Sequence, residues 1–415
     1  MPAEGVRSAE LAATFARLQL AIGDDCVTLV EDQQTRSSRR SVTVSLYPLA
    51  EWLVFNWWFL RAGARAGHAN HSYDSRHSLR ASGDGFLWPN LKFFPEGTVT
   101  RLIWQRDKLF APHSTLRYLA QGEVRVSSTG LQFVLANFVS SVIERLDELG
   151  VEGTALQAEW IGLRSIDEEE TEFCIAAARL GLDPFADGPK FEAEIIEAAT
   201  RLPSDILATF YDAVSPGNIG AAISWVVNSL SESEHHKDVD DIVLSARERV
   251  RSYPISPHSE PWQVGWGQAA AVRDTLGLDV LERIDVEKLV RPVTRVAPEA
   301  GFKAAGLGGS SPSKIVIVGK SYPSRALRFT LARALWHLVA ADADAYLVTS
   351  AHTEDQRIER AFAAELLAPA RGIAETIGAP EAVEDEDLES VADAYAVATT
   401  VIEHQLRNQV RMPAI

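Results

Sequence analysis

Between Lys314 and Gly319 the chain reads Lys-Ile-Val-Ile-Val-Gly, four consecutive β-branched apolar residues closed by a glycine. A run that is apolar at every position gives both faces of a strand a side chain to hide, so it reads as a strand buried on both sides. It is the clearest strand signal in the chain. A polar turn, Lys320 to Arg325, follows, and then a long helical pattern from Ser324 to about Ala341.

The chain has 415 residues, too many for one ordinary core, so two or three domains are expected. Hydrophobic residues at 46% and charged residues at 23% are globular proportions and exclude a disordered, collagenous or coiled-coil chain. Two cysteines, Cys26 and Cys174, cannot build a disulfide framework or a thiolate zinc site, and reduced thiols in a cytoplasmic protein are expected. No basic segment followed by an apolar run occurs in the first 25 residues, so a signal peptide is not expected. The most apolar stretch, Leu46 to Leu60, is shorter than a bilayer span and carries Glu51 and Asn56; it reads as one buried helix, and no membrane partner is expected.

Residues 1–160 mix strand and helix signals. Val27 to Glu31 and Val42 to Leu46 alternate as strands, with a polar loop, Asp32 to Arg40, between them. Further strands are expected at Leu91–Phe94, Thr98–Trp104 and Gly122–Ser127, and an amphipathic helix at Leu131–Leu149. From 161 to 252 the period is helical throughout, which suggests a helical connector or small domain. The third region, 253–415, opens on the Pro- and Ser-rich Tyr253–Trp262 and enters a helix, Gln263–Leu276, capped by Gly277. The expected class is α+β and multidomain: an N-terminal α+β module, a helical middle, and a mostly helical C-terminal domain with a small sheet.

Two segments of the third region carry a further signal. Arg328-Phe-Thr-Leu-Ala-Arg-Ala-Leu-Trp-His337 is followed by Arg360-Ala-Phe-Ala-Ala-Glu-Leu-Leu-Ala-Pro369. Together with the helices at Trp262–Leu278 and Leu388–Asn408, and in the same order, they resemble the zinc metallopeptidases of the ImmA/IrrE type, whose signatures read RFTLAHELGH and N-x-F-A-A-x-L-L-x-P. The resemblance implies a zincin-like fold. It also implies a zinc held by two histidines four residues apart on one helix face, a glutamate that polarises a bound water, and a third ligand on the next helix.

Carried over residue by residue, those roles meet substitutions. The first histidine position is Arg333, the general-base position is Ala334, the second histidine remains as His337, and the third ligand falls on Gln356, or on Ile358 in a shifted register. A guanidinium stays protonated and cannot ligate zinc, and Ala334 leaves no carboxylate to take a proton from water. Catalysis by the usual zincin route is therefore not expected, and no cofactor is expected. The open alternative is zinc at a rearranged site using His337 with His352 and Glu359. As a lone imidazole on an apolar helix face, His337 reads as a hydrogen-bonded packing residue.

Other candidates carry less. His68, His71 and His77 read as an exposed polar loop, and Gly306-Leu-Gly-Gly-Ser-Ser precedes a strand, whereas phosphate loops follow one. Ser310 and Ser311 have no recognisable His or Asp partners. Asp387 to Val410 has helix-turn-helix spacing, but a helical pair packed on the core is favoured, with the acidic Glu381–Glu386 stretch just upstream. The net charge of −17 disfavours broad binding to a phosphate backbone. These readings lead to a degenerate peptidase-fold regulator or sensor that binds a protein or peptide, in a stress, mobile-element, toxin-antitoxin or phage-defence setting. An active metal-dependent hydrolase and a DNA-binding regulator remain as alternatives.

Overall fold

Ile315, Val316, Ile317 and Val318 are each at most 4% exposed, because strands pair on either side of them and helices cover their sheet. The computed structural model describes residues 8–64, 71–110, 114–235, 239–254, 259–309, 312–378 and 383–409. They form an α+β, multidomain chain that divides into two compact units, 1–190 and 191–415. Among the described residues no helix is long and apolar enough to cross a membrane.

The first unit begins with α1 (Ala9–Ala13) and six short strands: β1 (Phe15–Leu18), β2 (Ala21–Ile22), β3 (Asp25–Cys26), β4 (Val30–Asp32), β5 (Ser37–Arg39) and β6 (Val42–Ser45). The helices α2 (Tyr47–Phe55), α3 (Trp57–Ala62) and α4 (His71–His77) follow, then β7 (Asn90–Pro95), β8 (Val99–Gln105), β9 (Leu116–Tyr118) and β10 (Gly122–Ser127). It closes with α5 (Ser128–Glu148), α6 (Ala155–Ser165) and α7 (Glu168–Arg179). The ladders are antiparallel throughout: β1 with β6, β2 with β3, and the three-stranded orders β5-β4-β9 and β10-β8-β7.

Three expectations for this region need correction. The Asp32–Arg40 segment expected as a polar loop contains a strand: β4 pairs with β5 inside it, and β6 takes β1. Thr28 fixes the turn between the two ladders, since its hydroxyl donates to Arg40 O and accepts from Leu20 N, both at 2.9 Å. The apolar stretch expected as one helix is two, because Asn56 leaves helical backbone (φ −110°, ψ 16°) and its amide donates to Trp52 O at 2.8 Å. Residues 71–77, expected as exposed loop, are helical, and His77 is only 2% exposed; His68 lies outside the described residues.

The second unit starts with α8 (Glu192–Arg201), α9 (Ser204–Tyr211), α10 (Ile219–Glu234), α11 (Asp241–Arg251), α12 (Pro261–Thr275) and α13 (Val286–Leu289). Next come β11 (Arg291–Thr294), β12 (Phe302–Leu307), β13 (Ile315–Val318), α14 (Ser324–Val339) and β14 (Ala345–Thr349). The helices α15 (Glu354–Leu367), α16 (Ala370–Ile377), α17 (Asp385–Tyr395) and α18 (Thr399–Asn408) complete it. The sheet order is β11-β13-β12-β14, with β11 parallel to β13 and the other pairs antiparallel.

The helices expected as a separate middle segment are divided between the units. α6 and α7 belong to the first, while α8 to α11 belong to the second. α10 is bonded to the sheet region, Trp225 Nε1 donating to Arg295 O at 2.9 Å and Ser233 Oγ to Ile315 O at 3.0 Å. α11 places Val243, Ala246 and Val250 in the same apolar core as Leu331 and Leu335 of α14. α17 and α18 pack on that core through Val391, Ala392, Val397, Ile402 and Leu406, while Thr400, His404, Arg407 and Asn408 face solvent.

Candidate functional site: a buried arginine, glutamate and histidine centre

Residues four apart on a helix share a face, so α14 presents Arg333 and His337 together toward α15, and α15 answers with Gln356 and Glu359, three apart. The side chain of Glu359 is fully buried. One of its oxygens, Oε1, accepts from Arg333 Nε at 2.7 Å and also from Arg333 Nη2. The other, Oε2, lies 2.7 Å from His337 Nε2. An ionised carboxylate only accepts, so with Glu359 ionised the Nε2 of His337 carries the proton.

The remaining contacts lock this centre to the sheet. Arg333 Nη2 also donates to Thr349 O and to Gln356 Oε1, each at 2.6 Å. Gln356 donates from Nε2 to Leu347 O at 3.2 Å and accepts from Thr349 N at 3.3 Å, tying α15 to β14. The His337 ring stacks on Tyr346 (centroids 4.6 Å apart, 4° between planes) and meets Trp336 edge-on at 4.8 Å. Burial, and secondarily Glu359, raise the Tyr346 hydroxyl well above its ordinary value. A charge this deep is costly unless paired and hydrogen-bonded, and the arrangement meets both conditions.

The residues do not fit a zinc ion. Two ligands on one zinc must each approach to about 2.0–2.2 Å with nothing between them and the ion. Here His337 and Glu359 are hydrogen-bonded to each other, and the permanently charged Arg333 is seated on the same carboxylate. Ala334, where the resemblance would place a general base, is fully buried in apolar packing. Among the described residues no group of three or more His, Cys, Asp or Glu is placed to hold a metal.

Arg333, His337 and Gln356, the positions that the resemblance singled out, lie together around Glu359. His352 is exposed, while the His337–Glu359 pairing that sequence offered only as part of a rebuilt metal site is present as an ion-pair centre. Glu359 is the central residue, which the sequence offered only as a ligand of a rearranged zinc site and not as the partner of Arg333. Its available signal was a carboxylate one turn after Gln356 on the face of α15 that carries Phe362, Ala363 and Leu366 into the core.

Toward solvent, basic groups surround the centre. Lys303 and Lys320 are brought close because Gly319 N donates to Lys303 O at 2.9 Å, extending the β12–β13 ladder. The Lys320 ammonium lies 5.1 Å from the centre of the Tyr322 ring. Burial, then Lys320 and Arg333, hold the Lys303 ammonium below its ordinary value; burial, then Arg333, bring Arg360 down to about 10. Asp355 is on the His337 side, its carboxyl raised by desolvation and drawn down by His337.

In the first unit, His77 is buried with both ring nitrogens against backbone carbonyls. Its Nδ1 is 2.9 Å from Tyr73 O and its Nε2 3.0 Å from Phe59 O, with the ring stacked on Tyr73. A Cβ at Gly63 would lie 2.6 Å from Nε2, so only glycine permits this approach. Cys26 and Cys174 are both buried and unbridged, and burial, then Glu170 and Asp183, push the Cys174 thiol up to about 12.

Comparison with known proteins returned no matching protein family, no matching curated protein and no matching solved structure.

Proposed function

We propose that the second unit is a peptidase-like scaffold of the ImmA/IrrE type that has exchanged its metal for an internal cation, and that the protein is a regulator or sensor binding a protein or peptide partner without cleaving it. The observation that carries this reading is the seat of Arg333 on Glu359, with His337 on the other oxygen of the same carboxylate. The groups best able to ligate a metal satisfy each other and the arginine, and Ala334 supplies no base. The four segments that resemble the family support the scaffold part of the proposal. Its setting, a stress, mobile-element, toxin-antitoxin or phage-defence circuit, comes from that resemblance alone.

The test is elemental analysis of purified full-length protein, paired with affinity capture from its own cells. Zinc well below one equivalent, together with recovery of an intact partner, is the expected result. Stoichiometric zinc that disappears in His337→Ala, accompanied by cleavage of the captured partner, would overturn the proposal in favour of an active hydrolase.

A further inference from the structure

The chain holds 57 acidic and 40 basic residues, so a basic side chain at its surface readily finds a carboxylate. Arg251 pairs with Asp342, Arg295 with Glu232, and Arg325 with Asp393. Around Arg333 this balance reverses. The Lys303 ammonium donates to Ala300 O at 2.7 Å, and Arg360 Nη2 donates to Ala351 O at 2.5 Å; both acceptors are uncharged carbonyls. Lys320 lies against the Tyr322 ring. Among the described residues none of these three cations forms an ion pair, and the carboxylate of Glu359 is spent on Arg333 and His337.

One further detail points outward. Arg333 uses Nε and Nη2 in its bonds, so among the described residues Nη1 has no protein acceptor, and it is not among the nitrogens sealed from solvent. The contacts run in one chain: Lys303 pairs through its backbone with Gly319 beside Lys320, Arg333 donates to Thr349 O, Ala351 N donates to Thr349 Oγ1, and Arg360 donates to Ala351 O. By contrast, the cleft of about 480 Å³ lined by Leu244, Arg247, Arg251, Asp342 and Asp344 mixes its arginines with acids and has no such excess.

We infer that Lys303, Lys320, Arg360 and the outer nitrogen of Arg333 form an oxyanion subsite, which takes a carboxylate or phosphate group of the ligand bound by the second unit. This inference rests on the metal-free reading of the centre, because a zinc ion would supply the positive charge itself. An oxyanion at this point relieves the repulsion among the cations and accepts charge-assisted hydrogen bonds from both guanidinium and ammonium donors. The negative net charge of the chain makes a local attraction of this kind selective, since the rest of the surface repels the same ligand.

The experiment is calorimetric titration of the full-length protein at low salt with three probes: inorganic phosphate, N-acetyl-triglutamate amide and N-acetyl-triglutamine amide. Saturable binding of phosphate or triglutamate, absent for triglutamine and weakening as salt is raised, is expected. A preference for phosphate assigns a free oxyanion, and a preference for triglutamate assigns a peptide carboxylate. Lys320→Glu, at an exposed position, is expected to weaken binding at least tenfold, and Lys303→Ala about tenfold, with the thermal midpoint of each variant measured alongside. Failure of both anionic probes to bind, or equal binding by wild type and Lys320→Glu, overturns the inference. Zinc is measured on the same samples: absent zinc with no anion binding removes only this inference, whereas stoichiometric zinc removes the proposed function as well.

Discussion

Glu359 satisfies a guanidinium and an imidazole at once with no exposed surface of its own. Removing one member of such a set leaves an uncompensated buried charge, so Glu359→Ala should destabilise the second unit by about 3–5 kcal/mol in urea unfolding. Replacing the charges together is a different matter. Arg333→Met combined with Glu359→Gln keeps a hydrogen-bonding amide for His337 and should recover most of the loss caused by Glu359→Ala; a double variant no more stable than Glu359→Ala would show that the ion pair itself is not the source of the effect. His77 offers a pH-dependent counterpart. Burial holds its ring down to about 4, against the opposing pull of the Tyr73 and Phe59 carbonyls. The unfolded chain, with a value of about 6.5, takes up the proton first as pH falls. Stability is therefore complete above about pH 6.5 and declines toward pH 4, by up to about 3 kcal/mol. His77→Gln should flatten that slope in unfolding curves followed by tryptophan fluorescence, and an unchanged slope would assign the dependence to other groups. Arg333 and His337 were legible together in sequence because their spacing is local to one helix. The role of Glu359 was not, because its bonds run to residues 22 and 26 positions away, and nothing local says which of the residues on α15 will face them.

Helices α12 and α15 meet through Gly265. A Cβ there would come within 2.4 Å of Ile358 O and 2.8 Å of Phe362 N, both backbone atoms of the partner helix. Neither can swing aside as a side-chain tip does, so Gly265→Ala should cost about 1–3 kcal/mol by pushing the helices apart. Since α15 also carries Gln356 and Glu359, near-ultraviolet circular dichroism of this variant should change as well; a wild-type urea midpoint would mean that the helices separate without strain. Helices α8 to α12 and α14 could be read from their 3.6-residue period, and β13 from its unbroken apolar run. The strands β12 and β14 could not. In β12, Gly306 reads as the start of a glycine-rich loop, yet a Cβ there would strike the Tyr346 hydroxyl at 2.4 Å, so it is the crossing of β14 that demands the glycine. In the first unit, β5 is composed of exposed Ser37, Ser38 and Arg39, and only its pairing with β4 marks it as a strand.

Each of the two units has its own buried apolar residues, clustered in the first around Trp88, Val139 and Leu146 with a second group at Trp58, Phe59 and Cys174, and in the second around Leu331, Leu335 and Phe362. The resemblance to a peptidase family begins at Trp262, but the second unit begins at Phe191, and α10 and α11 contribute Trp225, Ser233, Val243, Ala246 and Val250 to it. A fragment of residues 191–415 should therefore unfold in a single cooperative transition, whereas one of residues 253–415 should be poorly soluble and melt broadly, as scanning calorimetry of the two would register. A sharp transition in the shorter fragment would return α8 to α11 to the role of a connector. The Arg333 centre has a consequence at this scale too. A domain held together by zinc is stable only in proportion to the free metal around it, so its folded fraction follows the cell's supply and any competing chelator. Here the central cation is part of the polypeptide, present once in every copy from the moment of synthesis, and the centre assembles on the same terms in a metal-starved cell as in a replete one.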